Sequence, residues 1–198
     1  MALRWFVVVW VGLLFVDRPE AAAQDWAVRA RGSTVLASPS DFDADSSAGF
    51  EIGLEMRGHG ARGFELGTGW MRAVDSTTTE DLDLDLTFRW IPLYVGANYH
   101  LDLGSRSDLY VGTRLGFAFI DGEVELRDRF GGVARADAPS ETVWLYGLRA
   151  GFDRELRASP WWLSASLDYS TLRNDYAGPV SISGFSLVSL GVGVARRF

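Results

Sequence analysis

Ala48 to Arg57 reads A-G-F-E-I-G-L-E-M-R, and its apolar residues fall on every second position. Phe50, Ile52, Leu54 and Met56 share one face, whereas Gly49, Glu51, Gly53, Glu55 and Arg57 share the other. A period of two belongs to a strand whose faces meet different surroundings. Arg62 to Arg72 repeats the pattern, with Phe64, Leu66, Thr68 and Trp70 opposite Gly63, Glu65, Gly67 and Gly69. The segment Gly58-His59-Gly60-Ala61 is short enough to join the two runs as a hairpin.

Working outward from this hairpin, alternation continues from Trp26 to Phe198, and no segment carries a sustained 3.6-residue period. The spacing predicts eight strands, at about 26–37, 48–57, 62–73, 81–101, 108–126, 142–157, 161–173 and 184–198. In the fourth, Leu82, Leu84, Leu86, Phe88 and Trp90 precede Pro92, but Leu93, Val95, Ala97, Tyr99 and Leu101 follow it on the opposite parity. That change of phase predicts a bulge near Ile91-Pro92. The connections alternate in length: 58–61, 102–107 and 158–160 are short, whereas 38–47, 74–80, 127–141 and 174–183 are longer and polar. An even number of antiparallel strands with turns at one end and loops at the other predicts an all-β, eight-stranded antiparallel up-and-down transmembrane β-barrel.

Alternation alone does not separate this barrel from a soluble periplasmic ligand-binding barrel, which has its apolar face inside. The polar stripes carry many of the 22 glycines, which weaken a solvent-facing strand but make room for large neighbours inside a narrow lumen. Those neighbours are Arg29, Arg31, Glu51, Glu55, Arg57, Glu65, Arg89, Arg114, Arg149 and Asp168, expected to pair as a charged lumen network because an unpaired buried charge is costly. Trp and Tyr favour membrane interfaces. Trp26, Tyr99, Trp161 and Phe198 are expected at the periplasmic rim, and Trp70, Trp90, Trp144 and Tyr169 near the outer one.

The single continuous apolar run is Trp5 to Val16, preceded by Arg4 and followed by Ala21-Ala22-Ala23. These are the parts of a secretory signal, and the core is too short to span a bilayer. The expected organisation is a signal peptide at 1–23 and a barrel domain at 24–198. Cysteine is absent and lysine is absent, so all 19 basic residues are arginine and the formal charge is −7. Disulfides, zinc–thiolate clusters and thiol nucleophiles are excluded, and the acidic balance argues against nucleic acid as a partner.

The chemistry-bearing residues are sparse. His59 sits in a turn and His100 at a strand end, neither beside a serine as a lipid-modifying enzyme would require. The sequence thus reads as a non-enzyme with no cofactor, a lipid-modifying activity being the competing class. Asp41, Asp43 and Asp45, and again Asp81, Asp83 and Asp85, are clustered carboxylates of the kind hard cations favour. In EF-hand register, however, Leu86 stands where glycine is needed and Ile52 where glutamate is needed. Asp81, Asp83 and Asp85 are retained as the weaker metal candidates, against a solvated acidic loop.

W-A-V-R-A-R at Trp26–Arg31, G-F-E-L at Gly63–Leu66, I-P-L at Ile91–Leu93, L-Y-V-G-T-R-L-G at Leu109–Gly116 and W-W-L-S-A-S-L-D-Y at Trp161–Tyr169 occur in an order and spacing that resembles the OmpW-like outer-membrane barrels. The resemblance implies a bacterial outer-membrane location, outer-membrane lipid as surroundings, and a terminal Phe198 read by the assembly machinery. It also implies passage or binding of small hydrophobic solutes, or a structural role at the cell surface. Arg196 departs from the aromatic or apolar residue usual two places before the end, and is expected to reach headgroups.

Overall fold

The computed structural model describes residues 25–37, 46–58, 61–79, 82–104, 106–128, 130, 132–157, 159–173 and 185–198. The signal segment, Asp41, Asp43, Asp45, His59 and Asp81 lie outside these residues. Eight strands are formed: β1 (Asp25–Ala37), β2 (Ser46–Arg57), β3 (Arg62–Thr78), β4 (Leu82–Asp102), β5 (Ser107–Asp128), β6 (Val133–Glu155), β7 (Trp161–Arg173) and β8 (Phe185–Arg197). Each pairs antiparallel with the next and β1 pairs with β8, so the sheet closes into a barrel without an edge. Closure satisfies every strand's ladder from within the chain, which a sheet surrounded by lipid requires.

The founding hairpin keeps strict register, from Ser46 opposite Val74 to Arg57 opposite Gly63. Outward residues along it and its neighbours are large, apolar and open: Ile52 is 48% exposed, Leu66 53% and Val95 58%. The opposite parity is closed, with Glu55 at 0% and Glu65 at 3%. This is the inverse of a soluble barrel, whose apolar face would be the covered one.

No phase slip occurs in β4. Its register with β5 runs unbroken from Leu82–Asp128 to Asp102–Asp108, and its register with β3 is the same on both sides of Pro92, Thr68 opposing Leu93 and Met71 opposing Trp90. The bulge expected at Ile91-Pro92 is therefore absent. Proline removes an N–H donor but inserts no residue, and the Pro92 carbonyl still accepts a 2.8 Å hydrogen bond from Thr68 Oγ1. The register shifts lie elsewhere, between Ile120 and Gly122 of β5 against β6, and between Val35 and Ala37 of β1 against β8.

The connection expected at 127–141 is mostly strand. Its residues also alternate: Val124 and Leu126 pair with Ala136 and Ala134, and Glu125 pairs with Arg135. Exposed ion pairs lie along the charged face, with Arg127 and Arg135 donating to Glu125 at 2.7 and 3.0 Å. The β3–β4 and β5–β6 hairpins thereby rise above the exposed apolar belt and form the upper end of the barrel. Both described ends of the chain and the short turns occupy the lower end, where Phe198 N–H donates to the Trp26 carbonyl at 2.8 Å.

Candidate functional site

The barrel interior is the candidate site, and strand parity decides what enters it. Even positions of β4 and β5, and odd positions of β1, β2, β3 and of β6 from Val143 to Asp153, point inward. Glycine makes the space. A Cβ at Gly67 would collide with the Tyr94 ring, one at Gly151 with the Tyr110 ring, and one at Gly53 with the Glu65 carboxylate. Facing small and large residues thus interlock across the bore.

The middle of the lumen is centred on Arg149, which is 2% exposed. Its Nε donates to Asp168 at 2.5 Å, Nη1 to Glu65 at 3.0 Å and Nη2 to Glu51 at 2.5 Å. One planar guanidinium therefore ties β6 to β7, β3 and β2, a use of its fixed fork of donors that an ammonium cannot reproduce. Arg114 reaches Glu51 and Asp168, both at 2.9 Å. Arg31 donates to Glu51 at 2.6 Å, Glu65 at 3.2 Å and the Tyr110 hydroxyl at 2.8 Å.

A second cluster lies below. Arg29 pairs with Glu55 at 2.5 Å and Asp153 at 2.9 Å, Arg57 with Asp108 at 2.6 Å, and Arg197 with Asp108 at 2.7 Å. His100 bridges Glu55 and Asp108 through Nε2 at 2.7 Å and Nδ1 at 3.0 Å. Ionised carboxylates only accept, so each ring nitrogen meets an oxygen to which an N–H can donate. Asn98 joins the clusters, its amide donating to Glu55 at 2.9 Å and Glu65 at 3.1 Å. Beneath them a vestibule of about 760 Å³ opens at the lower end, between Arg57, His100, Asp108, Trp162 and Arg197.

Above the charges the interior is apolar. Met71, Trp90, Ile120, Val143, Leu145, Leu172 and Leu187 form a buried cluster inside the upper barrel. At its junction with Arg114 and Asp168 remains a cavity of about 40 Å³, room for about one water molecule.

Nine of the ten residues expected in the lumen network line this interior: Arg29, Arg31, Glu51, Glu55, Arg57, Glu65, Arg114, Arg149 and Asp168. Arg89 is the correction. Because β4 keeps one parity, its side chain turns outward and pairs with Glu123 at 2.9 Å on the outer face. Trp90 is corrected for the same reason: it is 5% exposed in the apolar cluster, not at an interface. Trp26, Tyr99, Trp144, Trp161, Tyr169 and Phe198 stand open on the outer wall, between 40% and 63% exposed, and Trp70 is half-buried there. Arg196 lies over the rings of Trp161 and Phe198, at 5.5 and 4.8 Å from their centroids.

Asp108, Asp153, Arg197, Asn98, Tyr94 and Tyr110 are interior residues that the sequence reading passed over, and His100, weighed there only as a catalytic candidate, joins them. Asp108 has the parity of Arg114, and Asp153 that of Arg149, so the signal was present. Among the described residues no group of three His, Asp or Glu side chains is arranged to hold a metal. Asp85 instead lies 3.9 Å from Arg127.

This closed eight-stranded antiparallel barrel, apolar without and charged within, has the architecture of outer-membrane barrel proteins. Solved structures of such barrels are similar to it. Ail, the attachment invasion locus protein of Yersinia pestis, in complex with the heparin analogue sucrose octasulfate, aligns with a TM-score of 0.53 at 14% identity, over 89% of this chain and 100% of that one. Neisserial surface protein A aligns with a TM-score of 0.54 at 18% identity, over 87% of this chain and 97% of that one. No family model and no curated protein sequence matches the chain.

Proposed function

We propose that the chain is a non-enzymatic bacterial outer-membrane barrel, OmpW-like in its strand sequences, whose sealed lumen supports a working surface made by the hairpins of the upper end. The observation that carries this reading is the bonding of Arg149 to carboxylates from three other strands, which spans the bore. The exposed apolar belt of the outer wall supports burial in lipid. Short turns and both described termini at one end support a periplasmic lower end, with the hairpins outside the cell. Phe198, open on the lower rim, is the residue the assembly machinery would read.

His100 supports a role without catalysis, because both of its nitrogens are engaged by interior carboxylates and it faces away from lipid. Planar-bilayer recordings on purified protein are expected to give at most small and infrequent openings. A steady large conductance would overturn the sealed barrel. Retention in the outer-membrane fraction through carbonate washing is the expected test of location, and unchanged lipid A on overexpression that of the absence of lipid-modifying activity.

A second reading is favoured by the apolar cluster around Trp90: a small hydrophobic solute entering from the upper end and stopping at Arg114 and Asp168. Such a solute exceeds the present cavity, so binding would displace Trp90 and alter its fluorescence.

A further inference from the structure

On the outer wall, the change from apolar to charged residues falls between adjacent rows. Phe50 pairs with Trp70 on β2–β3 and Ile91 with Phe119 on β4–β5, all facing out from the barrel. One outward step higher, about 7 Å along the strands, Arg72 pairs directly with Arg89. Both arginines therefore face outward at the top of the lipid-facing belt. Like charges directly opposite each other across a ladder are destabilising, so this pair calls for a shared anion.

The wall itself supplies only part of one. Arg89 holds Glu123 at 2.9 Å, with Asp121 more distant at 3.9 Å. Arg72 is exposed and has no carboxylate partner among the described residues. A guanidinium fork matches the oxygens of a phosphate, and Trp70, half-buried one step below, offers an aromatic surface at the height where acyl chains give way to headgroups.

We propose that Arg72 and Arg89 form a binding site for the phosphate group of a phosphorylated glycolipid in the surrounding outer leaflet. The site rests on the reading of the belt as membrane-embedded with the long hairpins outside. A lipid phosphate is favoured over a soluble one because the arginines border the belt, where an anchored headgroup is held at high effective concentration. Glu123 and Asp121 then fix the Arg89 guanidinium and leave its remaining donors toward the lipid.

The test uses the folded barrel in phosphatidylcholine bilayers, titrated separately with diphosphoryl lipid A, dephosphorylated lipid A and inorganic phosphate, with Trp fluorescence and thermal unfolding as readouts. Diphosphoryl lipid A is expected to bind and raise the unfolding temperature. The double variant Arg72→Gln/Arg89→Gln should fold equally well in phosphatidylcholine and bind diphosphoryl lipid A about tenfold or more weakly. The control Arg135→Gln on the upper hairpin should bind normally. Equal binding by wild type and double variant, equal binding of the dephosphorylated lipid, or equal saturation by inorganic phosphate would each overturn the site. Location in the cell is read separately by fractionation, so failure of either inference is recognisable without the other.

Discussion

Arg149 satisfies three carboxylates by geometry as much as by charge, which makes its substitutions unequal. Arg149→Lys preserves the charge but loses the planar fork, and Arg149→Met leaves Glu51, Glu65 and Asp168 crowded with too few cations. Removing one partner of a buried pair costs about 3 to 5 kcal/mol. Arg149→Met should approach that loss and Arg149→Lys should recover only part of it, as measured by urea unfolding of the heat-modifiable barrel in detergent or lipid. A lysine variant as stable as wild type would count against the fork. Ser164 is the opposite case. Its hydroxyl is buried without a hydrogen-bond partner among the described residues, an arrangement that costs about 1 to 3 kcal/mol, so Ser164→Ala should be neutral or stabilising in the same assay.

β4 separates what could be read from the sequence from what could not. Period-two alternation was sufficient to place its two ends, its antiparallel neighbours and the inward direction of the glycines and most charges, because a single parity error inverts a whole strand. It misplaces Trp90 and Arg89 because alternation does not mark where the apolar residues of a strand turn inward. The upper interior is itself apolar, and the chain therefore changes its inside chemistry at Pro92 without changing its parity. The β5–β6 extension was missed for a related reason: its alternation pairs small alanines with charged residues and resembles a polar loop in composition. Parity in β4 has a direct test. Trp90→Ala should destabilise by about 3 to 5 kcal/mol, as for a large residue lost from a packed core, while Ile91→Ala, on the exposed outer wall, should cost much less. Similar losses at the two sites in equilibrium unfolding would return Trp90 to the outer wall.

For the molecule as a whole, insulation and anchoring are separate jobs given to the two faces of one sheet. Leu54, 41% exposed on the outer wall, belongs to the apolar belt that the proposed function places in lipid, and arginine costs about 2 to 4 kcal/mol near a bilayer midplane. Leu54→Arg should therefore reduce the folded, heat-modifiable fraction recovered from outer membranes. Topology is tested independently by cysteines in the otherwise cysteine-free chain. Gly132→Cys on the β5–β6 hairpin should react with an impermeant label on intact cells, and Arg106→Cys on a lower turn should not. The reverse pattern would invert the proposed orientation.

Several ion pairs of the interior join strands that are not neighbours in the sheet. Arg29 of β1 meets Asp153 of β6, Arg57 of β2 meets Asp108 of β5, and Arg149 of β6 meets Glu65 of β3. None of these can form in an isolated hairpin or an open, half-zipped sheet; they require opposite walls to have come together. The network is therefore a late event in assembly and a brake on disassembly. Interactions absent from the transition state act mainly on the rate of unfolding, so Glu65→Gln should leave the rate of insertion into lipid vesicles nearly unchanged and hasten escape from the folded state in urea. Slowed insertion with an unaltered escape rate would place the ion pairs early in folding. A barrel built in this way gains its durability at the moment of closure, from charges that its outer wall never displays.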